Sequence, residues 1–280
     1  FTFFHNLSVY LSRRLGMPLI TFVTDDYLLT HSSRKTLSWR KGLFNKILRA
    51  KFTNSLSVSS KNHFISEKMR DVYKQAFGVE GVVSFNASHS LTAQNNPVQT
   101  TLSGGPEKCL FILRYFGSLH SGRLEALLNL AKLIEKSNSE GSRNIEVEVF
   151  TTRLCDDSLR ISSKYPFISF NPPVFGENLE MKMRSSDGLL VIESAKPSNL
   201  NSTWLSFSTK ITEYLRMKKP ILTYGPMECP SIEFLASSGS SYHIESVEDL
   251  IAYTEGIDVE YRLRCSKNLL IDLLDKNTLF

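Results

Sequence analysis

Residues 207–226, FSTKITEYLRMKKPILTYGP, contain a short helical pattern, a basic turn and an apolar strand. Lys210 and Glu213 lie three residues apart in the helical pattern, so their side chains share one face of the helix. On a purely structural interpretation, Ser208 or Thr209 caps the helix and the two charges form a solvated ion pair. The alternative interpretation, that the two charges bind a ligand, depends on the rest of the chain.

Strands alternate with helices before and after this stretch. The apolar, β-rich runs that we interpret as strands lie at 18–24, 108–116, 145–151, 167–170, 188–194, 221–226 and 241–244. Helical patterns separate them, and the last of these begins with the capping box SVED at 246–249. Alternation of this kind predicts parallel sheets with helices on both faces.

A polar stretch divides the chain into two parts. Residues 89–107 carry glycine, proline and many hydroxyl and amide side chains, as linkers do. We therefore predict an α/β protein with two Rossmann-like domains, at 1–88 and 108–280, joined by the linker 89–107. The stretch before the linker is shorter than the ~100 to 150 residues usual for a domain, so we expect the first domain to be incomplete.

Local signals in the first domain specify two of its helices. A basic helical pattern covers 39–52, and one or two short strands are predicted in 55–66. Ser66 is the predicted N-cap of the next helix, which ends before Gly78.

The composition excludes several classes of protein. With 41% hydrophobic and 22% charged residues among 280, the chain is an ordinary globular sequence, and it has no apolar run near the ~18 residues of a membrane span. The net charge of +5 is mild and without basic clusters interleaved with aromatics, so we predict no nucleic-acid partner. The cysteines lack C-x-x-C spacing, which argues against zinc and a disulfide framework and favours a reducing cytoplasm; they are Cys109, Cys155, Cys229 and Cys265.

The turn at 116–123, FGSLHSGR, is a candidate anion site. It joins a buried strand to a helix through Gly117 and Gly122, with Arg123 at the helix start. Backbone N–H groups of such a turn can bind phosphate, and an arginine can add charge-assisted hydrogen bonds. The spacing is not G-x-G-x-x-G, so an ordinary strand-to-helix turn remains the alternative. His120 is the histidine that would face a bound phosphate.

Four segments in chain order resemble the family 4 glycosyltransferases (glycosyltransferase group 1). YFGSL with the leucine-rich helix after it resembles the start of their donor domain, and GLLVIES resembles the strand before their active-site loop. HFISEKMRDVYKQAFG is similar to the end of their acceptor domain, and STKITEYLRMKKPILTYGP matches their K-x-x-E-Y helix and following strand. The resemblance implies the two-domain GT-B architecture, in which the second domain holds a nucleotide-sugar donor and the first an acceptor.

The resemblance also implies roles for individual residues. Glu213 would bind the ribose hydroxyls, and Lys210 and Arg123 would face the diphosphate as the catalytic cations. The remaining donor contacts would come from Gly117, Ser118 and Thr209.

Two positions depart from the family pattern. Leu205 stands where many members have a first glutamate, and Ser118 stands where an arginine often follows the glycine. Both departures bear on donor affinity.

No D-x-D motif is present, so we expect no metal and no other cofactor. Asp25 and Asp26 follow a strand and could orient an acceptor hydroxyl, although aspartates also end strands for turn chemistry alone.

We therefore expect a glycosyltransferase, retaining by family analogy and metal-independent, that acts on a glycan or lipid-linked acceptor. The alternative is a catalytically weak GT-B-like subunit that binds nucleotide or acts as a scaffold; for a sugar-nucleotide epimerase we identify no acidic catalytic set. The protein would be cytoplasmic. The basic helix 39–52, with Trp39 and Phe44 among five cations, is either a solvated face or a peripheral contact with the inner face of the membrane. The oligomeric state is not predicted.

Overall fold

The computed structural model describes residues 2–26, 29, 39–85, 110–141, 143–152, 156–196, 204–256 and 259–277. The chain forms two compact units, Phe1–Asn86 with Asn201–Ser208, and Ala87–Leu200 with Thr209–Phe280. The first unit thus includes a short segment from late in the sequence, which the predicted domain boundaries did not contain. The predicted linker at 89–107 lies outside the described residues.

The first unit contains a small parallel sheet in the order β1-β2-β3. Its strands are β1 Ile20–Val23, β2 Lys61–Phe64 and β3 Val82–Val83, and its helices are α1 Thr2–Leu15, α2 Trp39–Val58 and α3 Glu67–Phe77.

Helix α3 has the ends that the sequence predicts. The Ser66 hydroxyl accepts a hydrogen bond from the Met69 amide, and Gly78 adopts the left-handed conformation with its N–H on the Lys74 carbonyl. These contacts satisfy backbone groups that a helix end would otherwise leave unpaired. Met69 and Tyr73 are the buried residues of this helix.

The helix that the sequence predicts over 39–52 is longer in the structure, and one of the one or two strands predicted within 55–66 is present. Helix α2 continues to Val58, and the one strand in this segment is β2. The alternating apolar residues of SLSV favour a strand locally, but Leu48, Ser55 and Leu56 are buried at helical spacing. The Ser55 hydroxyl donates to the Phe52 carbonyl within the helix, so burial on one helix face prevails over local pattern.

The second unit contains a six-stranded sheet in the order β6-β5-β4-β7-β8-β9, with every pair parallel. Its strands are β4 Leu110–Phe116, β5 Asn144–Phe150, β6 Ile168–Asn171, β7 Gly188–Ile192, β8 Ile221–Tyr224 and β9 Ser241–His243. Its helices are α4 Arg123–Glu140, α5 Asp156–Lys164, α6 Gly176–Arg184, α7 Ile211–Arg216, α8 Pro230–Ser237, α9 Val247–Thr254 and α10 Val259–Asn277. The prediction of parallel α/β sheets is confirmed.

The strand order places a crevice at one edge of this sheet. The chain steps outward from β4 to β6, then returns to β7 on the other side of β4 and steps outward to β9. This is the 3-2-1-4-5-6 order of dinucleotide-binding folds. In such sheets, ligands bind beyond the carboxyl ends of the strands where the order reverses, which here lies between β4 and β7.

The core of the second unit forms between the central strands and α4. All five residues of β7 are buried, and Leu127, Leu130 and Ile134 present a fully buried face of α4. The predicted capping box at the start of α9 is confirmed, because the Ser246 hydroxyl accepts from the Asp249 amide and the Asp249 carboxylate accepts from the Ser246 amide.

Gly188 begins β7 at a point where a side chain has no room. A Cβ built at Gly188 would lie 1.6 Å from the Tyr253 hydroxyl and 2.9 Å from a methyl group of Leu113. The Tyr253 hydroxyl is buried and has no hydrogen-bond partner among the described residues. The absent side chain therefore lets α9 pack against β7.

We predict that Gly188→Ala lowers the free energy of unfolding by about 1 to 3 kcal/mol, as overpacked cores do. Tyr253→Phe should be neutral or stabilising, because it removes a buried hydroxyl without a partner. The double variant should lose less stability than Gly188→Ala alone, and denaturant unfolding of the four proteins measures this coupling. Additive effects would show that Tyr253 does not limit the space at Gly188.

Candidate functional site

The start of α7 is attached to the end of β4 by two contacts with Phe116. The Phe116 amide donates to the buried hydroxyl of Tyr214, at 3.3 Å, and the Lys210 ammonium donates to the Phe116 carbonyl. Both polar groups of the last β4 residue are thus held by α7. Lys210 consequently lies at the carboxyl edge of the sheet, beside the turn that begins at Gly117.

Lys210 is not the solvated member of a surface ion pair. Its Nζ would lie 3.2 Å from a Cβ at Gly117, so the absence of that side chain lets the ammonium approach the turn. Burial lowers the pKa of Lys210 to about 8, the nearby Glu213 carboxylate opposes this shift, and the Arg123 cation adds to it. Glu213 and Arg123 therefore both act electrostatically on Lys210.

The predicted cap of α7 is wrong. The N-cap residue is Lys210 itself, and its side chain makes no capping hydrogen bond. Thr209 is exposed, and its carbonyl accepts from the Thr212 hydroxyl at 3.3 Å.

Arg123 and Glu193 form an ion pair across the crevice. Arg123 is the first residue of α4, and Glu193 directly follows β7. The Arg123 Nε donates to Glu193 Oε2 at 3.1 Å, and Nη2 donates to Oε1 at 3.2 Å. This two-point arrangement fixes the plane of the guanidinium as well as its position. It joins the loop after β4 to the loop after β7 at the reversal of the strand order.

Glu193 is a site residue that the sequence analysis did not identify. Its carboxylate is buried, with 6% of the side chain exposed. Burial raises the pKa of Glu193, and the Arg123 cation opposes that rise. An ionisable residue directly after an apolar run, in GLLVIES, was the available signal.

The backbone N–H groups of the 117–122 turn are less available than expected. The Gly117 amide donates to Phe150, the Arg123 amide to His120 and the Leu124 amide to Leu119. The His120 amide donates to the Ser118 hydroxyl. Anion binding at this site would therefore draw on the side chains of Arg123 and Lys210 as well as on other amides of the turn.

The remaining predicted site residues have varied surroundings. Glu213 is half-buried in the first turn of α7, and the Ser118 carbonyl accepts from the Tyr115 hydroxyl. In the first unit, Asp26 accepts from the Tyr73 hydroxyl at 2.9 Å and from the Leu29 amide at 3.0 Å, which is turn chemistry. Asp25 is exposed, and its acceptor-side role stays a prediction.

A cleft of about 550 Å³ opens beside Glu193. It lies at the carboxyl ends of β7, β8 and β9, against the first turns of α4. Its polar lining includes Glu125 and Lys196, which form an ion pair, together with His243 and Tyr224. Its volume is within the range of small-molecule sites.

Comparison with known proteins agrees on the fold. WaaG, described as a glycosyltransferase involved in lipopolysaccharide biosynthesis, superposes with a TM-score of 0.58 at 14% identity, over 94% of this chain and 75% of WaaG. The pneumococcal O-GlcNAc transferase GtfA, solved with UDP and GlcNAc, gives 0.61 at 12% identity, over 97% of this chain and 53% of GtfA. A trehalose-6-phosphate synthase, studied for glycosyl transfer with retention, gives 0.58 at 12% identity, over 96% of this chain and 67% of the synthase.

No family model matches the sequence, and no curated protein matches it. The chain spans about half to three quarters of the length of WaaG and GtfA. The likeness establishes the fold, that of the GT-B glycosyltransferases, which the sequence resemblance implied.

We predict that Lys210 makes the free energy of unfolding change with pH in the alkaline range. The folded pKa near 8 lies below the unfolded value, so the unfolded chain binds more protons between those values and stability rises with pH there. The cost of a buried charge is present at pH 7 and is relieved above pH 8.

Denaturant unfolding of wild type and Lys210→Met at several pH values measures this effect. The stability of wild type relative to Lys210→Met should increase from about pH 8 to pH 10. A constant difference over that interval would show that Lys210 keeps an ordinary pKa.

Proposed function

We propose that this protein transfers a glycosyl group from a nucleoside diphosphate sugar to a glycan or lipid-linked acceptor. The observation that carries the proposal is the placement of Lys210, on the Phe116 carbonyl, and Arg123, on Glu193, at the carboxyl edge where the strand order reverses. That edge is where such sheets bind nucleotides. The structural neighbours WaaG and GtfA, both glycosyltransferases, support the same chemistry.

In this proposal the two cations stabilise the leaving group. The bond between the sugar C1 and the diphosphate oxygen breaks, a bond forms between C1 and the acceptor hydroxyl oxygen, the hydroxyl proton passes to the departing diphosphate, and negative charge develops on the diphosphate as it leaves. Arg123 and Lys210, positioned in advance, would offset that charge most strongly in the transition state. Two protein cations at the diphosphate would serve in place of a metal ion, so we propose a metal-independent reaction.

Glu213 would bind the donor's ribose. An ionised carboxylate accepts hydrogen bonds from two vicinal hydroxyls. These bonds are equal in the ground and transition states, so they would contribute to donor affinity and not to the chemical step. Retention of anomeric configuration is proposed by analogy with the trehalose-6-phosphate synthase, which was studied for glycosyl transfer with retention.

A second candidate is a catalytically weak subunit that binds nucleotide or acts as a scaffold. Leu205 is 2% exposed, so the position of the family's first glutamate is occupied by a core residue. Turnover distinguishes the two candidates: hydrolysis or transfer from a donor sugar by the full-length protein supports the enzyme, and nucleotide binding without turnover supports the subunit.

We predict that a nucleoside diphosphate raises the thermal stability of the wild-type protein. A panel of UDP, GDP, ADP, CDP and dTDP tests this, since a ligand at a hundred times its Kd stabilises by about 2.7 kcal/mol. Glu213→Ala should weaken binding of the preferred nucleotide by about 1.5 to 3 kcal/mol and raise KM. Lys210→Ala should also lower kcat.

Glu135→Ala is the matched control, because Glu135 is an exposed carboxylate of the same unit, three turns into α4 and away from the carboxyl edge of the sheet. It should leave affinity unchanged. If Glu213→Ala also binds as wild type does, then Lys210 and Glu213 form only a structural helix start. If no nucleotide of the panel binds wild type, the proposed function is wrong.

We also propose that the protein is cytoplasmic and contacts an anionic membrane surface through α2. Leu43, Phe44 and Ile47 are 51%, 52% and 43% exposed on this helix, and Lys46 and Arg49 are exposed near them. Exposed apolar groups with neighbouring cations suit a peripheral contact with anionic lipid. Among the described helices, none has the length and apolarity to cross a bilayer.

We predict that wild type co-sediments with phosphatidylglycerol vesicles and much less with phosphatidylcholine vesicles. Replacing Leu43, Phe44 and Ile47 by serine should abolish this binding and preserve the fold. Leu159→Ser is the control, because Leu159 is an exposed leucine of the second unit. Equal sedimentation of wild type and the triple variant would rule out α2 as the contact.

A further inference from the structure

Arg123 can make more hydrogen bonds than its contact with Glu193 uses. A guanidinium has five N–H donors in a planar fork. The bonds to Glu193 involve Nε and Nη2, so they leave the two N–H groups of Nη1 and one of Nη2. These three donors point away from Glu193, because the guanidinium is planar. The orientation of this second edge is therefore determined by Glu193.

Glu193 is itself held from its backbone. Its amide donates to the Tyr224 carbonyl at 2.9 Å, at the end of β8. A Cβ built at Gly225 would lie 2.5 Å from the Glu193 carbonyl oxygen, so β8 approaches Glu193 as closely as only a glycine allows. With its side chain buried as well, Glu193 is a fixed support, whereas the Arg123 side chain is 23% exposed.

We propose that Glu193 is a positioning residue, which holds the guanidinium of Arg123 so that its second edge faces the diphosphate of the donor. This inference rests on the proposed function. Glu193 lies in GLLVIES, which resembles the family's strand before the active-site loop, but the resemblance implies no ligand-binding role for it. Glu193 acts through Arg123 and does not itself contact the donor.

A positioning role and simple electrostatics predict opposite changes in diphosphate affinity when Glu193 is removed. Glu193 is an anion close to a site for an anion, so its removal would strengthen diphosphate binding if charge alone mattered. If Glu193 positions Arg123, its removal weakens binding. The sign of the change therefore separates positioning from charge compensation.

The experiment measures nucleotide affinity by calorimetry for wild type and Glu193→Gln. The nucleotide is the one among UDP, GDP, ADP, CDP and dTDP that binds wild type most tightly. Glutamine keeps the size of the side chain, but its amide N–H₂ faces an Arg123 donor and ends the two-point contact. We expect an affinity about tenfold lower, as for the loss of one hydrogen bond to a charged group.

A second pair of variants tests whether the effect passes through Arg123. In an Arg123→Ala background, Glu193→Gln should no longer weaken binding, since the residue to be positioned is absent. Arg123→Lys keeps the charge and Glu193 but lacks the planar fork, and it should also lower the affinity several-fold. Turnover should show the larger loss in kcat, because alignment matters most in the transition state.

Glu148→Gln is the matched control. Glu148 accepts the Nε of Arg114 at 2.5 Å between β4 and β5, so the control breaks an arginine–glutamate pair elsewhere in the same sheet. Its affinity should equal that of wild type. Thermal unfolding checks that each variant is folded, and Arg123→Lys supplies the test if Glu193→Gln does not fold.

The outcomes are distinct. Unchanged or tighter binding by Glu193→Gln overturns the positioning role and leaves the proposed function standing. An equal loss in the Arg123→Ala background also overturns it, because the effect would then be independent of Arg123. If no nucleotide of the panel binds wild type, the proposed function fails and the inference with it.

Discussion

The parallel pairing of β4 with β7 is the constraint on which the second unit depends. Leu113 lies opposite Gly188 in this pairing, and the space at Gly188 is filled by the Tyr253 hydroxyl. A slip of one residue would move every side chain of β7 to the other face of the sheet and would bring a leucine to the position that only a glycine fits. The same pairing brings the loop that precedes Arg123 and the loop that begins at Glu193 to one crevice. Core packing and the geometry of the candidate site are thus fixed by a single register.

The charges at this crevice are balanced before any ligand binds. The cations Arg123 and Lys210 are accompanied by the carboxylates of Glu193 and Glu213, so their formal sum is zero. Such a site does not attract anions nonspecifically, because attraction and repulsion nearly cancel for a distant charge. Selectivity must then come from the directions of individual hydrogen bonds. That dependence explains why the burial of Lys210 and the two-point contact of Arg123 matter more than the net charge of the chain.

Much of the fold was predictable, because the signals that specify it are local. The apolar runs predict the strands of the second unit, and the ends of α3 and α9 follow from Ser66, Gly78 and the capping box. Helices α5 and α10 were not predicted, since their short or mixed polar patterns do not distinguish a helix from a loop. The cap of α7 and the extent of α2 were wrong, because tertiary contacts decide both. Of the candidate site, Arg123 was predicted from its turn and Lys210 through the resemblance, and both roles stay predictions, whereas the partner of Arg123 lies 70 residues away and no local pattern marks such a pair.

The alignment of Arg123 also bears on the choice between the two candidate functions. An enzyme and a nucleotide-binding subunit both need affinity for the diphosphate, and an aligned guanidinium contributes to that affinity. Catalysis demands more, because donors must already be aligned with the charge that develops in the transition state. A lone exposed arginine at the start of α4 would supply weaker affinity and no alignment. In the proposed role, the buried Glu193, supported by the close approach at Gly225, would restrict Arg123 to one orientation at the cost of desolvating a carboxylate. A scaffold that binds no donor would gain nothing from that cost, so the proposed role of Glu193 argues against a pure scaffold, and turnover still separates the transferase from a nucleotide-binding subunit with Leu205 at the position of the family's first glutamate.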